Sequence, residues 1–320
     1  MPVLARATLA ALAAASLASC THSAQNAGAD HLEAALDRPI IFSGVVGGSA
    51  GIFRLDDLDD PDSARLLVSG ANWPVPAAGG RIVYHARAGD TLDIWSCDAE
   101  GGDIRRLTTD PAHDYLPAPS PDGQWIVFSS WRSEPGDPPD TTGPRLYLMR
   151  SDGTAQRRIM DEPLGTSAGA VWTRDGGAVV FPWKQPDDRI VLFSAPVAPH
   201  RNQPLGPAQR LTEGESSVGA PTVSPDGRMV AFNARGSVAT RIVVMDMSNR
   251  RQRVLVADGF NWYPRWSPDG RWLLFTRPAS GAEDDPDLDL YAVRVDGDGT
   301  EPPVPVLVLP GRQGEGWFVP

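Results

Sequence analysis

The chain has 320 residues, 41% apolar and 22% charged, which supplies a core and excludes a disordered acidic polymer. Its formal charge of −11 repels nucleic acid on average, so no nucleic-acid partner is expected. Gly (32) and Pro (31) make up a fifth of the residues with no Gly-X-Y period, a turn-rich composition that points to many short strands.

Residues 1–19 read as a secretory signal. Arg6 is the one positive charge before the apolar run Ala7–Leu17, which is too short to span a membrane. The run ends Leu17-Ala18-Ser19-Cys20, which resembles a bacterial lipobox. That resemblance implies cleavage before Cys20 and acylation of its thiol, an anchor made stable by more than one acyl chain. Thr21 stands where an Asp would imply retention at the inner membrane, so the periplasmic side of the outer membrane is expected. Residues 20–36, polar and Ala-rich after the Cys, read as a lipidated tether. Only Cys97 then remains, and no intramolecular disulfide is expected.

Residues 37–320 repeat. Ser120-Pro121-Asp122-Gly123, Ser224-Pro225-Asp226-Gly227 and Ser267-Pro268-Asp269-Gly270 each precede a short apolar run. Weaker copies stand at Thr173–Gly176 and Pro76–Gly79, and at Asp37, which occupies the glycine position. An aromatic follows each glycine position by five residues: Phe42, Tyr84, Phe128, Phe181, Phe232 and Phe275. Pro presets the first turn dihedral, Asp bonds its own backbone and Gly accepts a positive φ, so each copy reads as a hairpin. The copies lie 42 to 53 residues apart, and each interval holds two more strand candidates. Four strands per 40–50 residues is the size of a propeller blade. The first unit lacks its inner strand, and Glu315–Pro320 resembles one. The expectation is therefore an all-β, six-bladed β-propeller of four-stranded blades, closed by the C-terminal strand, which leaves no open edge.

Units such as Asp98–Thr108 followed by Ser120–Gly123 resemble the repeats of TolB-like (Pro-Asp repeat, WD40-like) propellers, also found in prolyl-oligopeptidase-like enzymes. The resemblance covers nearly all of 37–320 and implies the fold; a role in the cell envelope follows from it only by analogy. TolB carries an α/β domain before its propeller, and a short tether stands here instead, so the likeness is to the propeller alone.

With the turns joining first to second strands, the opposite face gathers the segments that enter each blade. There Trp73, Tyr115, Trp262 and Trp317 form an aromatic arc opposite small residues at Gly169 and Gly219, a mouth suited to a peptide or polymer. The bland alternative is packing between blades. Arg87, Arg132, Lys184, Arg235 and Arg277 follow the second-strand aromatics and suggest a cationic rim, of which Arg87, Arg132 and Arg235 are candidate ligand contacts. Pairing with Asp and Glu of the neighbouring loops is the alternative for these.

No catalytic or metal-ligating set is assigned, and no cofactor is expected. Gly165-Thr166-Ser167-Ala168-Gly169 matches a nucleophile elbow, but it precedes a strand instead of a helix. The histidines lack zinc spacing, and the Asp-rich segments lack a complete calcium loop. His85 and His113 of adjacent units are the candidates for an alternative reading, a polysaccharide lyase or hydrolase working in the channel. The preferred reading is a monomeric, non-enzymatic envelope lipoprotein that presents a propeller face to an envelope protein or a polysaccharide- or peptidoglycan-associated partner.

Overall fold

The computed structural model describes residues 38–319 except 59, 136, 138–142, 165–168, 214–216, 281–282, 284, 286, 298–301 and 309–312. Cys20, the tether and Ser167 lie outside the described residues. Among the described residues no helix is long and apolar enough to cross a membrane.

Six four-stranded antiparallel sheets follow one another as the blades of a ring. Blade three shows the pattern, running from the channel outward through Asp114–Pro119, Trp125–Ser130, Arg145–Arg150 and Arg157–Arg158. The turns form as their chemistry dictates. Ser120 Oγ donates to Asp122 Oδ1 at 2.5 Å, and the backbone amides of Gln124 and Trp125 donate back to Asp122 and Ser120. Gly123 takes φ +69°, as a type-specific glycine must. The same bonds recur around Ser224/Asp226 and Ser267/Asp269, and Thr173/Asp175 substitutes a threonine.

Blade one takes its inner strand from the other end of the chain. Gln313–Phe318 pairs with Ile40–Val46, matching Ile40 to Phe318, Ile41 to Trp317 and Phe42 to Gly316. Phe42 and Phe318 are both buried. The ring is closed by the C-terminal strand, so Ile40–Val46 is not left as an open edge.

The core lies between blades. One cluster joins Val83 and Ile94 of blade two to Ile126, Phe128 and Met149 of blade three, and four others bridge other consecutive pairs. The six repeat aromatics are among the largest fully buried side chains. Each contributes roughly 2–3 kcal/mol of transfer free energy, which explains why the position stays aromatic in this sequence. The buried charged side chain in the same size class is Arg265.

Candidate functional site

The inner strands share an irregularity that sets the site. The register shifts after Asn72, Tyr115, Gly219 and Trp262, and the next residue of each strand takes a left-handed φ of +47° to +58°. Those residues are Trp73, Leu116, Ala220 and Tyr263, and each is followed by Pro. Such a bulge inserts one residue and redirects the side chains beyond it. Beyond it, the positions opposite the second strands are Val75, Ala118, Thr222 and Arg265, and their counterparts in blades four and one are Val171 and Trp317. These six form the waist of the channel, and one of the six is charged.

Two cavities meet at this waist, where Val75, Ala118, Val171 and Trp317 line both. The larger, about 620 Å³, opens among the turns and is walled by Pro121, Pro225 and Pro268 with Trp172 and Trp266. Those two indoles donate to the preceding blades, Trp172 Nε1 to Ala118 O at 2.9 Å and Trp266 Nε1 to Thr222 O at 3.1 Å, so they knit the ring together. The smaller, about 340 Å³, is the mouth at the opposite end, walled by Trp73, Trp262, Tyr263 and Trp317 around Arg265.

The mouth gathers three of the four expected aromatics. Trp73 meets Tyr263 edge-on at 5.2 Å, and Trp262 lies on Phe260 at 6.3 Å. The guanidinium of Arg265 sits 5.1 Å from the Trp73 centroid and 4.4 Å from that of Trp317. Trp317 also packs against the core between blades one and two, so it serves both wall and core. Tyr115 stands elsewhere. It is buried, its hydroxyl accepts from Trp131 Nε1 at 3.1 Å, and the bulge sends Leu116 to the mouth in its place.

The expected cations separate. Arg235 lines the mouth, where its Nη2 pairs with Glu283 of the next blade at 2.6 Å. Arg87 is exposed and lines neither cavity. Arg132 is built into the fold, 2.5 Å from the fully buried Asp114 and stacked on Phe128 and Tyr147. Arg277 repeats that arrangement on Phe275 and Tyr291, donating to Asn261 at 2.9 Å. Lys184 pairs with Asp188 of its own hairpin at 2.8 Å.

His85 and His113 do not converge on a cavity. His85 Nδ1 accepts from Leu116 N and His113 Nδ1 from Leu92 N, and neither ring lines the mouth or the turn-side cavity. Burial pushes the His85 imidazole down to about 4, so it is neutral at physiological pH. Among the described residues no group of three His, Cys, Asp or Glu side chains is placed to hold a metal ion.

No family model matches the chain. A protein TolB homolog of Chlorobium chlorochromatii is 28% identical over 155 residues, 48% of this chain and 31% of that one. The TolB structure from Acinetobacter baumannii superposes with a TM-score of 0.69 at 18% identity, covering 88% of this chain and 67% of that chain. The structure of a putative TolB from Agrobacterium tumefaciens covers 88% of this chain and 93% of its own, with a TM-score of 0.64 and 18% identity. The chain is a TolB-like β-propeller. The matches span 26–44% of the length of the curated relatives, so the likeness concerns the propeller and not a whole protein.

Within this TolB-like propeller, the residue that sequence reasoning passed over is Arg265. Its signal was present: five residues before the turn glycine stand Ala118, Val171, Thr222 and Arg265, one charge among small and apolar residues.

Proposed function

We propose that this TolB-like propeller is a non-enzymatic binding scaffold of the cell envelope, anchored by lipid on Cys20 at the periplasmic side of the outer membrane. As a monomer it presents its mouth to an envelope protein or a peptidoglycan-associated polymer. The observation that carries the reading is the mouth itself, where Trp73, Trp262 and Trp317 from three blades surround one cavity of about 340 Å³. Rigid aromatic walls with a few polar groups are the usual make-up of a recognition pocket. A channel lyase or hydrolase draws no support from His85 and His113, whose ring nitrogens accept from backbone amides outside both cavities.

The test is capture of partners from detergent-solubilised envelope by the lipidated protein, with Trp73→Ala/Trp262→Ala as the comparison. The reading expects a defined partner that the double variant loses. Recovery of the same partners at the same yield by the folded double variant removes it.

A further inference from the structure

The mouth holds a buried cation whose bonds within the chain are incomplete. Arg265 is 2% exposed. Its Nη1 donates to the neighbouring Pro264 O at 2.9 Å, but its Nε has no hydrogen-bond partner. No described carboxylate forms an ion pair with it. Glu315 acts on it only through space, and Oε2 of Glu315 accepts from Ser43 Oγ at 2.7 Å. Burial lowers the Arg265 guanidinium to about 10, which leaves it charged at any physiological pH. A buried charge held mainly by two aromatic faces is costly to the free protein, and that cost falls when an anion meets it.

Two further orphan groups line the same cavity. Thr240, 1% exposed, has an unpartnered hydroxyl, and Trp317 has an unpartnered indole Nε1. Guanidinium and indole nitrogens only donate, and the hydroxyl has a proton to give. A group with two acceptor oxygens satisfies such a set, and a single unpaired cation matches a single negative charge. Arg235, the other cation at the mouth, is already paired with Glu283.

We propose that the mouth is a carboxylate-binding site anchored by Arg265, with Thr240 and Trp317 as neutral donors, and that its occupant is a peptide presenting a carboxylate. This rests on the reading of the mouth as the binding surface and names the chemistry that surface selects. The aromatic geometry favours a peptide over an acidic sugar. The Trp73 and Trp317 faces are taken by the guanidinium, Trp73 and Tyr263 meet edge to face, and Trp262 is stacked on Phe260. One face each of Trp73, Trp317 and Trp262 is thus already covered, while small residues at Gly169, Gly219 and Ala220 leave room for a peptide chain end.

The probes are N-acetyl-Ala-Phe as the free acid, the same dipeptide as its amide, and digalacturonate. Binding to the full-length protein is read by tryptophan fluorescence, since Trp73 and Trp317 flank the anchor, and by calorimetry. The free acid is expected to bind at least about tenfold more tightly than the amide. Arg265→Met is expected to erase that preference, and Thr240→Val to weaken it. Replacing an unpaired buried charge by an apolar side chain is compatible with folding, which a thermal melt checks. The comparison of acid with amide on the unaltered protein needs no variant. Equal binding of acid and amide, no binding of the acid at millimolar concentration, or a preference that persists in Arg265→Met overturns the proposal. Binding of digalacturonate in place of both peptides overturns the peptide assignment. Partner capture lost in Trp73→Ala/Trp262→Ala but retained in Arg265→Met keeps the mouth as binding surface and removes the carboxylate anchor alone.

Discussion

The guanidinium of Arg265 lies 4.4 Å from the ring centroid of Trp317, and Trp317 belongs to the strand that closes the ring by pairing with Ile41. Closure and recognition therefore share a side chain. The C-terminal strand completes blade one, walls the mouth and covers one face of the buried cation in a single pass.

Truncating that shared residue is expected to be expensive. Trp317→Ala removes a half-buried indole from the blade-one/blade-two core and uncovers the Arg265 charge, a loss of roughly 3 kcal/mol. Gly316→Ala tests the same strand by overpacking, because an added Cβ meets Leu290 Cδ1 at 2.7 Å and Leu274 Cδ2 at 3.0 Å. About 1–3 kcal/mol is expected there. Urea denaturation of both variants measures the losses, and unchanged midpoints contradict the closure.

The turn glycines are predicted to be unequal. Gly123 and Gly270 both need a positive φ, so Ala at either costs on the order of 1 kcal/mol. At Gly123 the new Cβ also falls 2.6 Å from Ala78 Cβ, whereas at Gly270 its nearest neighbour is Pro225 Cδ at 3.6 Å. Gly123→Ala therefore lowers Tm further than Gly270→Ala in parallel thermal melts.

These turns were legible in the sequence because their causes are local. Ser, Pro, Asp and Gly within four residues dictate the hairpin, and the aromatic five residues on marks the buried second strand. Closure was legible for a similar reason, since blade one visibly lacked an inner strand. The waist was not. Whether residue 265 points into the channel depends on the bulge between Trp262 and Arg265, which inverts the alternation a straight strand would have. The same bulge puts Leu116 at the mouth where simple alignment put Tyr115. Arg132 was hard to place for a different reason. Its partner Asp114 sits at the start of the inner strand, and only the folded blade brings the two together.

Blade six carries a carboxyl that titrates in an accessible range. Burial, then the charges of Asp287 and Asp285, push Asp289 up to about 6. A folded-state value above the unfolded one means that folding favours the protonated form. That contribution is complete below the unfolded value near 4 and is lost as pH rises through about 6. Asp289→Asn is therefore expected to raise the denaturation midpoint at pH 8 more than at pH 4. An equal effect at both pH values contradicts this account of Asp289.

Thiol chemistry reports on both the fold and the proposed anchor. Cys97 is fully buried and its thiol is pushed up to about 11 by burial, Asp98 adding to the effect. A thiol-specific reagent is expected to leave it untouched in native protein and to label it once on denaturation. Protein taken from membranes, with Cys20 acylated, shows no fast-reacting thiol; a cytoplasmic form lacking acylation shows one. A fast thiol in the membrane-derived protein contradicts lipidation at Cys20.

The buried ion pair of blade three separates the structural cations from the mouth. Arg132→Ala leaves the fully buried Asp114 carboxylate without its partner, a loss of about 3–5 kcal/mol. Arg235→Ala breaks a pair whose side chains are 64% and 41% exposed, and its stability stays within about 0.5 kcal/mol of the unaltered protein. Chemical denaturation of the two variants gives the comparison.

The ring has a cavity at each end, and the account assigns recognition to the smaller one. Site-specific photocrosslinking decides between them, with a benzophenone side chain placed at Val238 on the mouth-side rim or at Arg228 beside the turn of blade five. Irradiation in intact cells is expected to join a partner to the Val238 position and none to the Arg228 position. Crosslinks confined to Arg228 would contradict the assignment and move the binding surface to the larger, turn-side cavity.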